Sequence, residues 1–440
     1  MTVNKLCNVA ILAGGMGTRL KSVTGDLPKS MALLNGKPVL EYQIELCKQF
    51  GFKEIGLLVY YGYESIQDYF KKGEDWGVNL TYIVEKQARG TGGALMDALD
   101  RFEDNFLVLY GDTYLDVDLK KMMDYHKNCN AALTLFVHPN DHPSDSDLVE
   151  LDDNLQIINI HPYPHTENKF LPNLVNAALY AINRNTLVNT LPMDVKYDLA
   201  KHVFPELIKK NIKLQAYLSQ EYVKDMGTPE RIKKVQKDIE NAIPIKLSLR
   251  NKRKAIFLDR DGTINKEVNH LSSPEQLALF DGVAEVIRKW NRNGNLVVLI
   301  TNQPVIARGE LSWEGLKEIH AKLDQELGEK GAYIDHKYIC PHHPHSGYPG
   351  EVQYLKIKCN CRKPRTGLID LACQELNIDR TCSWFIGDTT SDIKAGNDAG
   401  LKTILVQTGY AGQDGKYLVK ANHVIPKLQD AFELTLESPK

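Results

Sequence analysis

Apolar runs of strand length alternate with amphipathic helical stretches along the whole chain, a rhythm that predicts parallel α/β architecture. In the first half, VAILAGG (9–15), IGLLVYY (55–61) and FLVLYGD (106–112) read as buried strands, with helical segments at 39–50 and 92–103 between them. The pattern restarts with KAIFLDRDG (254–262), LVVLITN (296–302), WFIGD (384–388) and TILVQTG (403–409). Each run ends in glycine or polar residues, the place where open α/β sheets build their sites. Between the halves, a lysine-rich amphipathic helix follows Asp225-Met-Gly-Thr-Pro229 to about residue 241, and IPIKLSLRNKRK (243–254) leads into a fresh strand. The chain therefore divides into a domain over 1–241, a linker over 242–253 and a second domain over 254–440. No repeat or low-complexity tract interrupts it, and 440 residues are too many for one ordinary core.

Composition narrows the class. Hydrophobic residues at 43% and charged residues at 25% are the mixture of a soluble globular protein. A net charge of −2 gives no global reason to expect nucleic acid or anionic membranes as partners. No apolar run approaches a membrane span, and the opening MTVNKLCNVAILAGG reads as a buried first strand of a cytoplasmic protein. Of eight cysteines, Cys340, Cys359 and Cys361 alone cluster, near several histidines, which favours metal over disulfide. Cys340-Pro-His342 with Cys359-Asn-Cys361 suits a closed tetrahedral zinc site, whose role would be to fold a loop that lacks a core of its own. His343 and His345 are competing imidazoles.

FLDRDGTIN (257–265) sets Asp259 and Asp261 at the end of an apolar strand. Strand-end aspartates often only cap helices or form turns. A carboxylate can also attack phosphorus while a second acid protonates the leaving oxygen, with magnesium offsetting the repulsion between anions. Four strand-end signals recur in order: Asp259/Asp261, Thr301-Asn302, Lys363 and Asp388/Asp392. In this the segment 254–430 resembles the haloacid dehalogenase superfamily. The resemblance implies a Rossmannoid domain with Asp259 as nucleophile and magnesium ligand, and Asp261 as acid/base whose carbonyl also reaches the metal. It further implies that Thr301 and Asn302 hold the transferring phosphoryl, Lys363 neutralises it, Asp388 completes the metal site and Asp392 supports it from behind. Cys-x-His with Cys-x-Cys-Arg-Lys-Pro is similar to the heptose 1,7-bisphosphate 7-phosphatases and the related histidinol-phosphate phosphatases. By that resemblance Arg362, and Arg308 within 301–309, face substrate; Pro304-Val305 replaces the usual Ser-Gly.

The first half carries Leu12-Ala-Gly-Gly-Met-Gly-Thr-Arg-Leu20 after a buried strand, where backbone N–H groups can approach phosphate oxygens. It lacks the Gly-Lys-Ser/Thr of a P-loop, and Leu20 stands where a dinucleotide fingerprint has its third glycine. Together with Pro28-Lys29, Gly90-Thr-Gly-Gly-Ala94, Gly111-Asp112 and Asp225-Met-Gly-Thr-Pro229, it resembles the sugar-1-phosphate nucleotidyltransferases over 6–240. That family implies a GT-A-like mixed sheet and in-line attack of a sugar 1-phosphate on a nucleoside triphosphate. Gly14, Gly15, Gly17 and Thr18 would cradle phosphates, Arg19 and Lys29 would stabilise their charge, and Asp112 and Asp225 would hold magnesium. Glu85, Gly90, Gly93 and Asn176 lie where the family reads nucleobase and sugar. Two departures stand out. The family's Glu-Lys-Pro segment is His161-Pro-Tyr-Pro-His165, leaving His161, His165 or Lys169 to replace its lysine, and Asn-Ala-Gly-x-Tyr has become Asn176-Ala-Ala-Leu-Tyr180.

The two resemblances imply a bifunctional enzyme of GDP-heptose formation. It would use magnesium at both sites, structural zinc, GTP as co-substrate, and small sugar phosphates as its partners. Two other readings are open: a histidinol-phosphate-type phosphatase fused to a hexose 1-phosphate nucleotidyltransferase, and a phosphatase regulated by a non-catalytic sugar-nucleotide sensor. Both Asp112 and Asp225 being present counts against the sensor. Within the transferase family the first half looks most like the heptose 1-phosphate guanylyltransferases, which implies GTP and the α-anomer; oligomeric state, a homo-oligomer included, is left open.

Overall fold

The computed structural model describes residues 5–15, 17, 20–166, 169–188 and 195–436. Two compact units emerge, one of residues 1–138, 146–165 and 174–244, the other of 139–145, 166–173 and 245–440. Among the described residues no helix is long and apolar enough to cross a membrane.

The first unit is built on a nine-stranded sheet. Its strands are β1 (Cys7–Leu12), β2 (Glu54–Val59), β3 (Asn79–Val84), β4 (Phe102–Tyr110), β5 (Leu133–His138), β6 (Leu148–Leu151), β7 (Ile157–His161), β8 (Val175–Asn183) and β9 (Leu214–Leu218). They run in the order β7-β6-β8-β4-β1-β2-β3, with β9 beside β5 and β5 beside β8. The expected parallel core is present, β1 pairing in parallel with both β2 and β4. β8 is antiparallel to β4 and β5, so the sheet is mixed. Val9, Ile11, Leu107 and Leu109 pack against one layer of the core, while Ala10, Phe106 and Val108 pack against the other. That is the period-two alternation of a strand covered on both faces. Pairing β8 with β5 breaks register between Asn176 and Tyr180, and Ala178 takes φ +54° there. The helix expected over 92–103 is shorter: it spans Gly90–Asp97, and Phe102 already opens β4.

The second unit holds a six-stranded sheet of β10 (Ala255–Leu258), β11 (Leu296–Asn302), β12 (His336–Cys340), β13 (Trp384–Gly387), β14 (Lys402–Val406) and β15 (His423–Ile425). The order is β12-β11-β10-β13-β14-β15, with every pair parallel. Asp259, Asn302, Cys340 and Asp388 therefore stand at or just past adjacent strand ends on one edge of the sheet. The stretch expected as a linker is not wholly extended, since Ile243–Leu247 forms a short helix with Ile243 and Leu247 buried.

Candidate active sites

In the second unit, Asp259 leaves β10 with its N–H donating to the Ile386 carbonyl at 3.1 Å. Lys363 Nζ sits 2.7 Å from Asp259 Oδ1 and 2.7 Å from Asp392 Oδ1, and donates to the Ile300 carbonyl at 2.9 Å. One buried ammonium thus faces the close carboxylate trio Asp259, Asp388 and Asp392, which lie within 4.8 Å of one another. Burial first, then the Asp392 carboxylate against the relief from Lys363, pushes Asp259 up to about 7. Burial and the two neighbouring aspartates push Asp388 up to about 8. Asp388 Oδ2 accepts the Tyr410 N–H at 2.7 Å, while its buried Oδ1 has no hydrogen-bond partner. An unsatisfied buried carboxylate oxygen in a site short of positive charge is what a divalent cation would complete. Asp392, expected to support the metal from behind, lies within the trio and bonds Lys363 directly.

Asp261 is held differently. Burial opposes its ionisation, but Arg260, Asn265 and Gln303 outweigh it and hold the carboxyl below its ordinary range. Arg260 Nη2 and Gln303 Nε2 donate to Oδ2 at 2.8 and 2.9 Å, and Arg260 Nε and Asn265 Nδ2 donate to Oδ1 at 3.1 and 3.0 Å. Gln303 also donates to the Thr301 hydroxyl at 2.8 Å. The Asn302 side chain grips the Lys363 backbone, donating to its carbonyl at 3.3 Å and accepting its N–H at 3.1 Å. Sequence reasoning did not single out Arg260 and Gln303. The signal for Arg260 was its place between the two aspartates of the motif.

Beside this edge, Cys340 Sγ lies 3.6 Å from Cys359 and 3.3 Å from Cys361, Cys361 lies 3.2 Å from Cys359, and His342 Nδ1 lies 3.1 Å from Cys361 and 3.8 Å from Cys340. All eight cysteines are free. Thiolates ~2.3 Å from a tetrahedral ion would stand ~3.8 Å apart, so a small expansion of this cluster would give a four-coordinate metal site. His343 is not part of it: its Nδ1 faces the His345 carbonyl at 3.1 Å and its Nε2 faces Arg308 at 3.4 Å. The loop is not as bare as expected, since Leu355 and Val352 pack with Val305, Ile306 and Ala307 in a small cluster. Pro304 is accommodated as the first residue of the helix Pro304–Ala307, where its missing N–H is no loss. Arg308 spreads over the Tyr348 ring, 4.9 Å from its centroid, and Arg362 donates to the His342 carbonyl at 3.1 Å, so both guanidiniums flank the cysteine loop.

In the first unit a cavity of about 340 Å³ is lined by Gly14, Gly15, Lys29, Glu85, Gly90 and Asp112, among others. Gly17 lies in the left-handed region at φ +62°, and a Cβ there would come within 2.9 Å of the Lys29 side chain. Thr18 and Arg19 lie outside the described residues. Lys29 is ion-paired with Asp112, and Asp225 with Arg231. Asp225 also accepts the Gly227 N–H through Oδ1, so it offers a metal less than Asp112, one of whose oxygens lies outside its pair. Asp225 and Thr113 are paired across a two-stranded ribbon, which brings Asp225 close to Asp112. Burial raises the Glu85 carboxyl. Gly93 and Asn176 do not line the cavity, and neither do His161, His165 and Lys169. His161 is buried against Glu150 at 2.8 Å, His165 Nε2 donates to the Ser146 carbonyl at 2.8 Å, and Lys169 groups with the second unit. A lysine that sequence reasoning passed over, Lys196, does line it.

Residues 8–242 match the nucleotidyl transferase family, and residues 360–431 match a HAD hydrolase-like family. The chain is 39% identical over 184 residues to the D-glycero-beta-D-manno-heptose-1,7-bisphosphate 7-phosphatase of Pasteurella multocida, covering 41% of this chain and 96% of that protein. Its counterpart in Haemophilus influenzae is 40% identical over 36% of this chain and 83% of its own length. The D-glycero-alpha-D-manno-heptose 1-phosphate guanylyltransferase of Campylobacter jejuni is 34% identical over 227 residues, covering 50% of this chain and 94% of that protein.

Proposed function

We infer that this chain, which belongs to the nucleotidyl transferase family through residues 8–242 and to the family of the heptose-bisphosphate phosphatases, is a bifunctional enzyme of nucleotide-heptose formation. It removes the 7-phosphate of D-glycero-D-manno-heptose 1,7-bisphosphate, and it transfers GMP from GTP to D-glycero-α-D-manno-heptose 1-phosphate, giving GDP-heptose and pyrophosphate. One observation carries this: the chain covers 96% of a heptose-bisphosphate phosphatase and 94% of a heptose 1-phosphate guanylyltransferase, enzymes whose product and substrate meet.

In this reading the transferase occupies 1–241 and the phosphatase 254–440. The Asp259 carboxylate attacks phosphorus, forming an aspartyl-phosphate as the bond to the C7 oxygen breaks. That oxygen takes a proton from Asp261, which later receives one from the attacking water. Lys363 neutralises the phosphoryl group, the Thr301 hydroxyl holds it, and Asn302 fixes Lys363. Magnesium held by Asp259, Asp388 and the Asp261 carbonyl would offset the repulsion between the anionic reactants. Zinc on Cys340, His342, Cys359 and Cys361 would order the loop that presents Arg362, with Arg308 beside it, to the substrate's second phosphate.

In the transferase, Gly14, Gly15, Gly17 and Thr18 cradle the triphosphate. Arg19 and Lys29 stabilise its developing charge, and Glu85 and Gly90, which line the cavity, shape the base and sugar subsites. Asp112 and Asp225 would hold magnesium there once Lys29 and Arg231 release them.

The test offers heptose 1,7-bisphosphate to the whole chain with GTP, ATP or CTP, following phosphate and pyrophosphate separately. Phosphate release without any nucleotide, and pyrophosphate release with GTP alone, are expected. No turnover with any nucleotide sinks the transferase half, and no phosphate sinks the other.

A further inference from the structure

The transferase cavity must accept a triphosphate and a phosphate monoester, yet its described cationic lining is Lys29 and Lys196. Lys29 is already paired with Asp112. Lys196 is exposed, and among the described residues nothing pairs with its amine.

Its backbone is nonetheless tied down. The N–H groups of Gly92 and Gly93 donate to the Tyr197 carbonyl at 2.9 and 3.3 Å, and Tyr197 N–H donates to the Arg89 carbonyl at 3.1 Å. Arg89 Nη2 donates to the Val195 carbonyl at 2.9 Å, and Leu199 N–H donates to Thr91 Oγ1 at 3.0 Å. The approach is so close that a Cβ on Gly90, itself at φ +74°, would stand 2.5 Å from the Tyr197 carbonyl oxygen. The stretch 195–199 is therefore stitched to the glycine-rich turn on both sides of Lys196. A flexible side chain is delivered from a fixed root to the cavity wall beside Gly90 and Thr91.

We propose that Lys196 binds the phosphate of the sugar 1-phosphate acceptor, an inference that rests on the transferase reading above. The nucleotide's phosphates fall to the first glycine turn and Lys29, and Lys196 reaches the cavity from a different stretch of chain. A lysine ammonium is a mobile point charge suited to a phosphate that must be held yet remain free to attack. The histidines that the sequence offered for this task are engaged by Glu150 and the Ser146 carbonyl, away from the cavity.

The full-length chain is assayed as wild type, Lys196→Met and Lys196→Arg, reading pyrophosphate release against each substrate, with phosphate release from the same preparation as the control for folding. Lys196→Met is expected to raise KM for the sugar 1-phosphate at least ~10-fold, about the loss of one charge-assisted contact. KM for GTP and the phosphatase rate should stay put, and Lys196→Arg should restore most of the affinity. An unchanged KM for the sugar phosphate, or an equal rise for GTP, overturns the assignment of Lys196 alone. A wild-type chain that releases no pyrophosphate overturns the transferase reading and this inference with it.

Discussion

Ala178 stands at φ +54° where β8 loses register with β5. A left-handed conformation costs a residue with a Cβ ~1–2 kcal/mol, and glycine adopts it freely at a smaller entropic cost. Ala178→Gly is therefore expected to raise stability by up to ~1 kcal/mol; a urea midpoint that falls instead would count against the strain. The glycine that the resemblance puts at this position would adopt the same backbone without that cost. Single residues were legible in proportion to how far their role is local. Asp259, Lys363 and Asp388 were readable because motif order carries them to one sheet edge. Arg260 and Gln303 were not, because their work is a network around Asp261 that exists only once β10 and β11 are side by side.

Among the elements, the helix Leu119–Cys129 buries His126 with Nδ1 2.8 Å from Thr134 Oγ1 and Nε2 3.2 Å from Asn105 Oδ1. Burial, with a smaller push from Lys127, drives the imidazole down to about 4. Its unfolded value is about 6.5. Between those values the unfolded chain binds a proton that the folded one refuses, so stability falls as pH falls, by at most ~1.4 kcal/mol per unit. Urea denaturation at pH 7 and pH 5 should show a steeper loss for the wild type than for His126→Gln; equal losses would refute it.

The cysteine loop poses a question of size. Burying Leu355 and its few neighbours yields ~1.5–3 kcal/mol per side chain, against ~1–2 kcal/mol for each residue ordered. A structural zinc site would supply ~10–16 kcal/mol and would close the gap. One equivalent of tightly bound zinc, lost in Cys359→Ser together with the phosphatase but not the transferase, is expected. A metal-free loop of equal stability would refute the site. The closeness of Cys340, His342, Cys359 and Cys361 was legible from spacing, but the small cluster under the loop was not, because Val352 and Leu355 lie far from Val305 in sequence. The short helix at Ile243–Leu247 escaped notice because five residues carry too little periodicity to be read.

For the molecule as a whole, the division into two catalytic halves was readable from the restart of the strand pattern. The mixed first sheet was not readable from that pattern, because an apolar run does not reveal which way its neighbour points. The two relatives raise a problem that neither half raises alone. The Pasteurella phosphatase is named for the β-bisphosphate and the Campylobacter transferase for the α-anomer. If one site feeds the other, both must share an anomer. The phosphatase is therefore expected to show the higher kcat/KM with the α-bisphosphate, measured on each anomer separately. A preference for β would mean the two activities do not act in sequence.

The cysteine cluster has a practical side. With sulfurs 3.2 to 3.6 Å apart, an oxidant can couple any two of Cys340, Cys359 and Cys361 once nothing occupies the space between them. Stored preparations stripped by chelator should thus age unevenly, one activity fading while the other persists, and reductant with added zinc should bring back only what air has not carried past the disulfide.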